Sequence, residues 1–160
     1  QDVFLFTGTI ESNIKLRNIN LTDKDMEENA SFVNAAKFIN KFPDKYKHPV
    51  SERGSTLSTG QRQLLSFARS LINKPDILVL DEATSNIDTE TEILIQEALS
   101  KMIVGRTSII IAHRLSTIKN SNKIIVIHKG EIKEIGNHEE LIEKKGIYYN
   151  LYMLNFNFEI

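Results

Sequence analysis

The sequence predicts an α/β fold with parallel strands, and three observations carry that prediction. Ile77-Leu78-Val79-Leu80 is a short apolar run, preceded by Lys74-Pro75-Asp76 and ending on Asp81-Glu82. It reads as a buried strand with both faces covered. Leu94, Ile95, Ala98, Leu99 and Met102 then recur at helical spacing behind Asp88, a residue suited to capping a helix. Thr107 to Ala112 is a second buried strand, ending at His113. Strand, helix and strand in that order form a βαβ unit, which implies parallel strands and a right-handed crossover. At the carboxyl end of such a strand Asp81 and Glu82 either face the ligand crevice or are simply two acids in the loop that follows. Buried elsewhere, two adjacent carboxylates are costly unless paired or hydrogen-bonded.

Length and composition set the bounds. With 160 residues the chain makes one ordinary domain, and 41% hydrophobic with 26% charged residues is a globular balance. A net charge of −1 argues against a broad basic surface for nucleic acid or anionic lipid. Without cysteine there is neither a disulfide framework nor a Cys-based metal site, which is compatible with a reducing compartment. No apolar run approaches the ~18–20 residues of a membrane helix, so any membrane-spanning part is expected outside this sequence. The chain starts at Gln1 without an initiator methionine and reads as the C-terminal part of a larger protein.

Taken in order, Val3 to Phe6 is a strand end or a tight segment, and Thr9 caps a short helix carrying Ile10 and Ile14. Thr22 caps the next helix with Asp25 three residues on, and Leu21 is placed to staple against Met26. Phe32 and Val33, then Phe38 and Ile39, continue the helical run until Pro43 stops it. Asp44 to Thr56, with Pro49 and Gly54, reads as a loop. Leu64, Leu65, Ala68, Leu71 and Ile72 form the buried face of a helix that opens near Ser58-Thr59-Gly60-Gln61. Its start is either an ordinary cap or a phosphate site with free backbone N–H groups, a Ser58 hydroxyl and close access at Gly60. Gly105 stops the helix after Asp88. Lys123 to His128 and Glu131 to Ile135 form a hairpin turned by Lys129-Gly130. Asn137 and Glu140 open another helix in capping-box fashion, which Gly146 ends. Leu151 and Leu154, with Tyr148 and Tyr152 alongside, read as core packing, and His128 and His138 carry no metal-like spacing.

Five motifs in order carry a resemblance. Gln1 opens the run Gln1-Asp2-Val3-Phe4-Leu5-Phe6-Thr7-Gly8-Thr9-Ile10, and Leu57-Ser58-Thr59-Gly60-Gln61 follows. After them stand Ile77 to Glu82, Ser85-Asn86-Ile87-Asp88 and His113. Together they resemble the Q-loop, the LSGGQ signature, Walker B, the D-loop and the switch histidine of ABC transporter nucleotide-binding domains of the exporter type. Thr59 replaces the first signature glycine. The resemblance runs from Gln1 to about Leu154. Ser51-Glu52-Arg53-Gly54 is similar to the exporter loop that contacts the membrane domain, although Pro49-Val50-Ser51 departs from its usual pattern.

The resemblance implies a P-loop NTPase-like (RecA-like) three-layer α/β core, present in part, with an α-helical signature subdomain. Residues 1–8 are then the Q-loop region, 9–72 the helical subdomain and 73–160 the C-terminal half of the ATPase core. It implies ATP and Mg²⁺, with Asp81 and Gln1 toward the metal, Glu82 as general base or water-positioning group and His113 on the γ-phosphate. Asp88 acts across a dimer interface, while Ser58, Thr59, Gly60 and Gln61 close on ATP held by the opposite subunit. Partners are a second nucleotide-binding domain and a transmembrane domain, at the cytoplasmic face of a membrane, with no nucleic acid expected. The implied activity is ATP hydrolysis powering export. The alternatives are a DNA-repair or chromosome-type ATPase of the same superfamily, or the non-catalytic half of a heterodimeric transporter. No G-x-x-x-x-G-K-[ST] occurs, so the 160-residue chain alone is expected neither to hydrolyse ATP nor to cover all its apolar sheet faces.

Overall fold

A computed structural model describes residues 3–16, 18, 20–81, 87–111 and 118–156, residues 155 and 156 without their side chains. Two compact units are present, residues 1–110 and residues 111–160.

In the first unit, residues 3–7 are irregular and lead to a two-residue strand β1 (Gly8–Thr9) and helix α1 (Ile10–Lys15). Thr9 and Ser12 cap one another reciprocally, which satisfies two of the orphan donors at the start of α1. Asn13 is fully buried and reaches back to Phe6, accepting from its N–H at 2.8 Å and donating to its carbonyl at 2.8 Å. Helix α2 (Asp23–Phe32) opens with the expected Thr22/Asp25 capping box, and a single turn α3 (Ala36–Ile39) follows it. Phe32 faces outward, because Met26 and Ala30 set the buried stripe of α2. The segment read as a loop contains a strand, β2 (Pro49–Val50), antiparallel to β1 with Gly8 opposite Val50. Proline is tolerated there because the pairing is two residues long and lies at an edge.

Helix α4 (Thr59–Leu71) buries Leu64, Leu65, Phe67, Ala68 and Leu71, as its spacing requires. Strand β3 (Ile77–Asp81), helix α5 (Thr89–Ile103) and strand β4 (Thr107–Ile111) complete the unit, with β3 and β4 hydrogen-bonded neighbours. The α4 and α5 stripes meet in one core with α1, α2 and Leu78. That core is continuous across residues 72 and 73. Coverage of the strands is one-sided. Leu78 is 4% exposed, but Ile77 is 62% and Val79 66% exposed, so β3 has one covered face. Ile109 and Ile111 are outward on β4 in the same alternation. The apolar run without alternation predicted the strand; the second cover it implied is absent here, in keeping with the expectation that this chain alone leaves apolar sheet faces open.

The second unit is a hairpin of β5 (Ile124–His128) and β6 (Glu131–Gly136) followed by α6 (His138–Lys144) and α7 (Ile147–Phe156). The strands pair antiparallel from Ile124–Gly136 to His128–Glu131, with an irregularity between Val126 and Ile127. Asn137 and Glu140 form the expected capping box of α6. The Glu134 carboxylate accepts from the N–H groups of Ile147 (2.7 Å) and Tyr148 (3.0 Å), so a strand side chain caps α7. His138 pairs through Nδ1 with the Tyr148 hydroxyl at 2.8 Å and is an ordinary satisfied histidine. The core here is Ile124, Val126, Leu141 and Tyr148. Leu151 and Leu154, read as core from their spacing, are 50% and 60% exposed, because Tyr148 takes the inward position of α7.

Candidate functional site

Leu57-Ser58-Thr59-Gly60-Gln61 is the turn into α4. Leu57 is buried in the core and fixes the entry. Ser58 is the cap: its Oγ accepts from the Gln61 N–H at 3.2 Å, and Gln61 Oε1 accepts from the Ser58 N–H at 3.0 Å. A serine hydroxyl that accepts still carries a proton to donate, so the cap retains a hydrogen-bond donor for an anion. The first turn of α4 holds no acidic residue, which suits the positive end of its dipole to that task.

Two residues not singled out by the sequence reading complete the turn. Arg62 donates from one guanidinium nitrogen to the Leu57 carbonyl at 2.7 Å and from the other to Thr59 Oγ1 at 3.0 Å. Its spacing, three residues after Thr59 on a helix, is the signal that finds it. Thr91 of α5 is the other. A Cβ at Gly60 would overlap the Thr91 Cγ2 methyl and lie 3.3 Å from Ile87 Cγ2. Gly60 is buried, and the space on the side where a Cβ would stand is filled by α5. The missing side chain at Gly60 thus also serves close packing between helix starts.

Thr91 also joins the turn to Asp88. Asp88 caps α5, its Oδ1 accepting from the Thr91 N–H at 2.9 Å. That backbone N–H, and then the Thr91 hydroxyl, hold the Asp88 carboxyl below the usual carboxylate range. The signature turn and the Asp88 cap are thus neighbours where the starts of α4 and α5 pack together. Asp81 stands exposed at the carboxyl end of β3. Gln1, Glu82 and His113, with Ser85 and Asn86, lie outside the described residues. The segment after Gln1 is tied to α4 by Arg69, which donates to the Phe4 carbonyl at 2.9 Å. Half-burial lowers the Arg69 guanidinium from its ordinary value.

Among the described residues no cluster of three or more metal-ligating side chains forms. One exposed carboxylate at a strand end nevertheless fits Mg²⁺, which is commonly held by one or two carboxylates together with substrate phosphates and water.

The family described as ABC transporter matches residues 1–85. The chain belongs to the ABC transporter family. It is 52% identical over 154 residues to a protein of Bacillus subtilis named as a probable multidrug resistance ABC transporter ATP-binding/permease protein. That alignment covers 96% of this chain and 23% of the relative. It is 46% identical over 156 residues to an ATP-dependent lipid A-core flippase of Syntrophus aciditrophicus, covering 98% of this chain and 26% of that protein. Among solved structures, a bacterial Atm1-family ABC exporter with ATP bound superposes with a TM-score of 0.86 at 37% identity. The match covers 97% of this chain and 27% of the exporter. The α/β fold is therefore that of an ABC exporter's ATP-binding domain, in part. The chain spans about a quarter of the length of these relatives. Among the described residues no helix is long and apolar enough to cross a membrane.

Proposed function

We propose that the intact protein hydrolyses ATP to power export of a substrate through a membrane domain, with this chain forming part of its ATP-binding domain at the cytoplasmic face. The observation that carries the reading is the turn 57–61, a capped helix start with donors retained, locked to the Asp88 cap through Thr91. ATP is the substrate, and Mg²⁺ bound beside Asp81 supplies charge neutralisation on its phosphate oxygens.

The chain's own residues do the rest. Glu82 takes a proton from water as the water oxygen bonds to the γ-phosphorus, and the bond to the ADP oxygen breaks. His113 donates to the γ-phosphate, and Gln1 contacts metal and water. Ser58 by its hydroxyl, Thr59 and Gly60 by the N–H groups of their turn, and Gln61 by its side-chain amide, close on ATP bound to the second nucleotide-binding domain, with Asp88 at that interface. In this scheme residues 1–8 link the lobes, 9–72 receive the membrane domain, and 73–160 belong to the ATPase core.

The test is Glu82→Gln in the intact protein. The amide is nearly isosteric but accepts no proton, so ATP binding persists while turnover falls by about 10²–10⁴. Parental turnover at saturating Mg-ATP would overturn the assignment. The 160-residue chain alone contains no phosphate-cradling glycine-rich loop and is expected to release no phosphate from Mg-ATP by itself.

A further inference from the structure

We propose that Arg62 is a positioning residue for the nucleotide-contacting turn, and that the Thr59 hydroxyl serves Arg62 and not the nucleotide. The inference rests on the reading above, in which the turn 57–61 closes on ATP. Arg62 forks between two acceptors on either side of the Ser58 cap, the Leu57 carbonyl at 2.7 Å and Thr59 Oγ1 at 3.0 Å. Both bonds are charge-assisted and partly shielded from water, so they are stronger than neutral ones. The stem of Arg62 is lodged beside Gly54: a Cβ there, at φ +65°, would lie 3.2 Å from Arg62 Cδ and 2.8 Å from Leu5 Cδ1. The guanidinium is thus braced from behind, where the 52–54 turn meets Leu5.

This arrangement explains how threonine is accommodated at position 59. Its side chain is turned along the helix toward Arg62, three residues on, and its hydroxyl oxygen accepts from the guanidinium. The backbone N–H remains for an anion, and the rotation of the turn is set by the fork. A lysine cannot reproduce it, because a single ammonium lacks the planar pair of donors that spans two acceptors.

The experiment is a double-mutant cycle in the intact protein, measuring kcat and KM for Mg-ATP hydrolysis, with thermal unfolding recorded for each variant. Arg62→Met keeps the stem and removes the donors; Thr59→Val keeps the shape and removes the hydroxyl. The KM for ATP is expected to rise about three- to tenfold in Arg62→Met, by more than kcat falls, with Arg62→Lys between it and the parent. Thr59→Val is expected to raise KM less, and to add nothing further in the Arg62→Met background. Equal effects of Thr59→Val in both backgrounds would make Thr59 a direct nucleotide ligand and overturn the proposal. A lowered unfolding temperature with unchanged KM would also overturn it, leaving Arg62 a stabilising residue only. If Arg62→Met does not fold, Arg62→Lys with Thr59→Val completes the same cycle and is decided by the same outcomes. Glu82→Gln is run alongside: its turnover at the parental rate condemns the hydrolysis reading itself, whereas a flat cycle with Glu82-dependent turnover condemns only the role of Arg62.

Discussion

Among the described residues between Ile10 and Ile72 most large apolar side chains go inward, Leu16 and Phe32 excepted, with Ile10, Ile14, Ile39, Leu64 and Leu65 almost wholly out of contact with water. In the strand pairs the count is split. Leu78, Ile124 and Val126 are buried, while Ile77, Val79, Ile109, Ile125, Ile127 and Ile132 face solvent. The helical stretch closes a core by itself because α1, α2 and α4 offer stripes on facing sides, to which α5 adds a fourth. Strands have two faces, and these have one cover. Apolar surface left in water forgoes about 25 cal/mol per Å², and such faces mark surfaces that associate.

The largest expected effect tests that contrast directly. In the 160-residue chain, Leu65→Ala removes atoms from a closed core and is expected to cost about 2–5 kcal/mol in urea unfolding. Val79→Ala trims a side chain that is already exposed and is expected to stay within about 0.5 kcal/mol. Comparable losses at dilute concentration would mean that the outer face of β3 is covered in solution, and the contrast between the two regions would fail.

Most elements were legible in the sequence because their signals are local. The capping boxes at Thr22 and Asn137, the Asp88 cap and the α4 stripe each depend on residues within one or two turns, and each forms. The Lys129-Gly130 hairpin likewise follows from its two turn residues. What was not legible depends on the partner surface. Alternation is absent from Ile77 to Leu80, so nothing local says which face is covered. The Leu151/Leu154 spacing is helical, but the choice of Tyr148 as the inward residue is made by β6 and α6, through Glu134 and His138. At the candidate site, the Ser58 cap was readable from its own turn. The filling of Gly60's free side by Thr91 was not, because those residues are 31 positions apart in chain numbering and meet only when α4 packs on α5.

That meeting point yields an intermediate effect. Gly60→Ala in an early helix turn ordinarily stabilises, by about 0.5–1 kcal/mol, through lower backbone freedom. Here the added Cβ overlaps the Thr91 methyl, and overpacking of this kind costs about 1–3 kcal/mol, so the sign is expected to reverse. Thr91→Ser deletes that methyl and keeps the hydroxyl. In the double variant the loss is expected to shrink or vanish, measured as coupling in the same urea assay. Additive losses would show that α4 and α5 yield at this contact, and that the helical region is less rigid than its buried core implies.

The smallest effect separates the two regions by their caps. Among the described residues three carboxyls sit below their usual range: Asp23 through the Lys15 ammonium that bonds it, Asp25 through the Thr22 hydroxyl, and Asp88 through the Thr91 N–H. A carboxyl whose folded pKa is depressed contributes stability that is complete above its unfolded value, about 4, and is lost as pH falls through the folded value. Lys15 is raised by the Asp23 and then the Glu11 carboxylates, so its contribution is complete below its unfolded value and is lost only as pH rises through the folded one. The acid window therefore belongs to the carboxyls, and the unfolding midpoint is expected to drop between about pH 5 and pH 3. Asparagine caps a helix about as well as aspartate without titrating. Asp88→Asn should then leave the midpoint at pH 7 nearly in place while flattening the acid slope at the α4–α5 junction, and Asp25→Asn should do the same through the α2 cap. Because the helical stretch holds two of the three depressed carboxyls, replacing both Asp23 and Asp25 is expected to flatten the slope more than replacing Asp88. Equal or reversed changes would place the acid sensitivity of the chain at the junction with the strands, and the helical stretch would no longer be the part whose stability its own local contacts set.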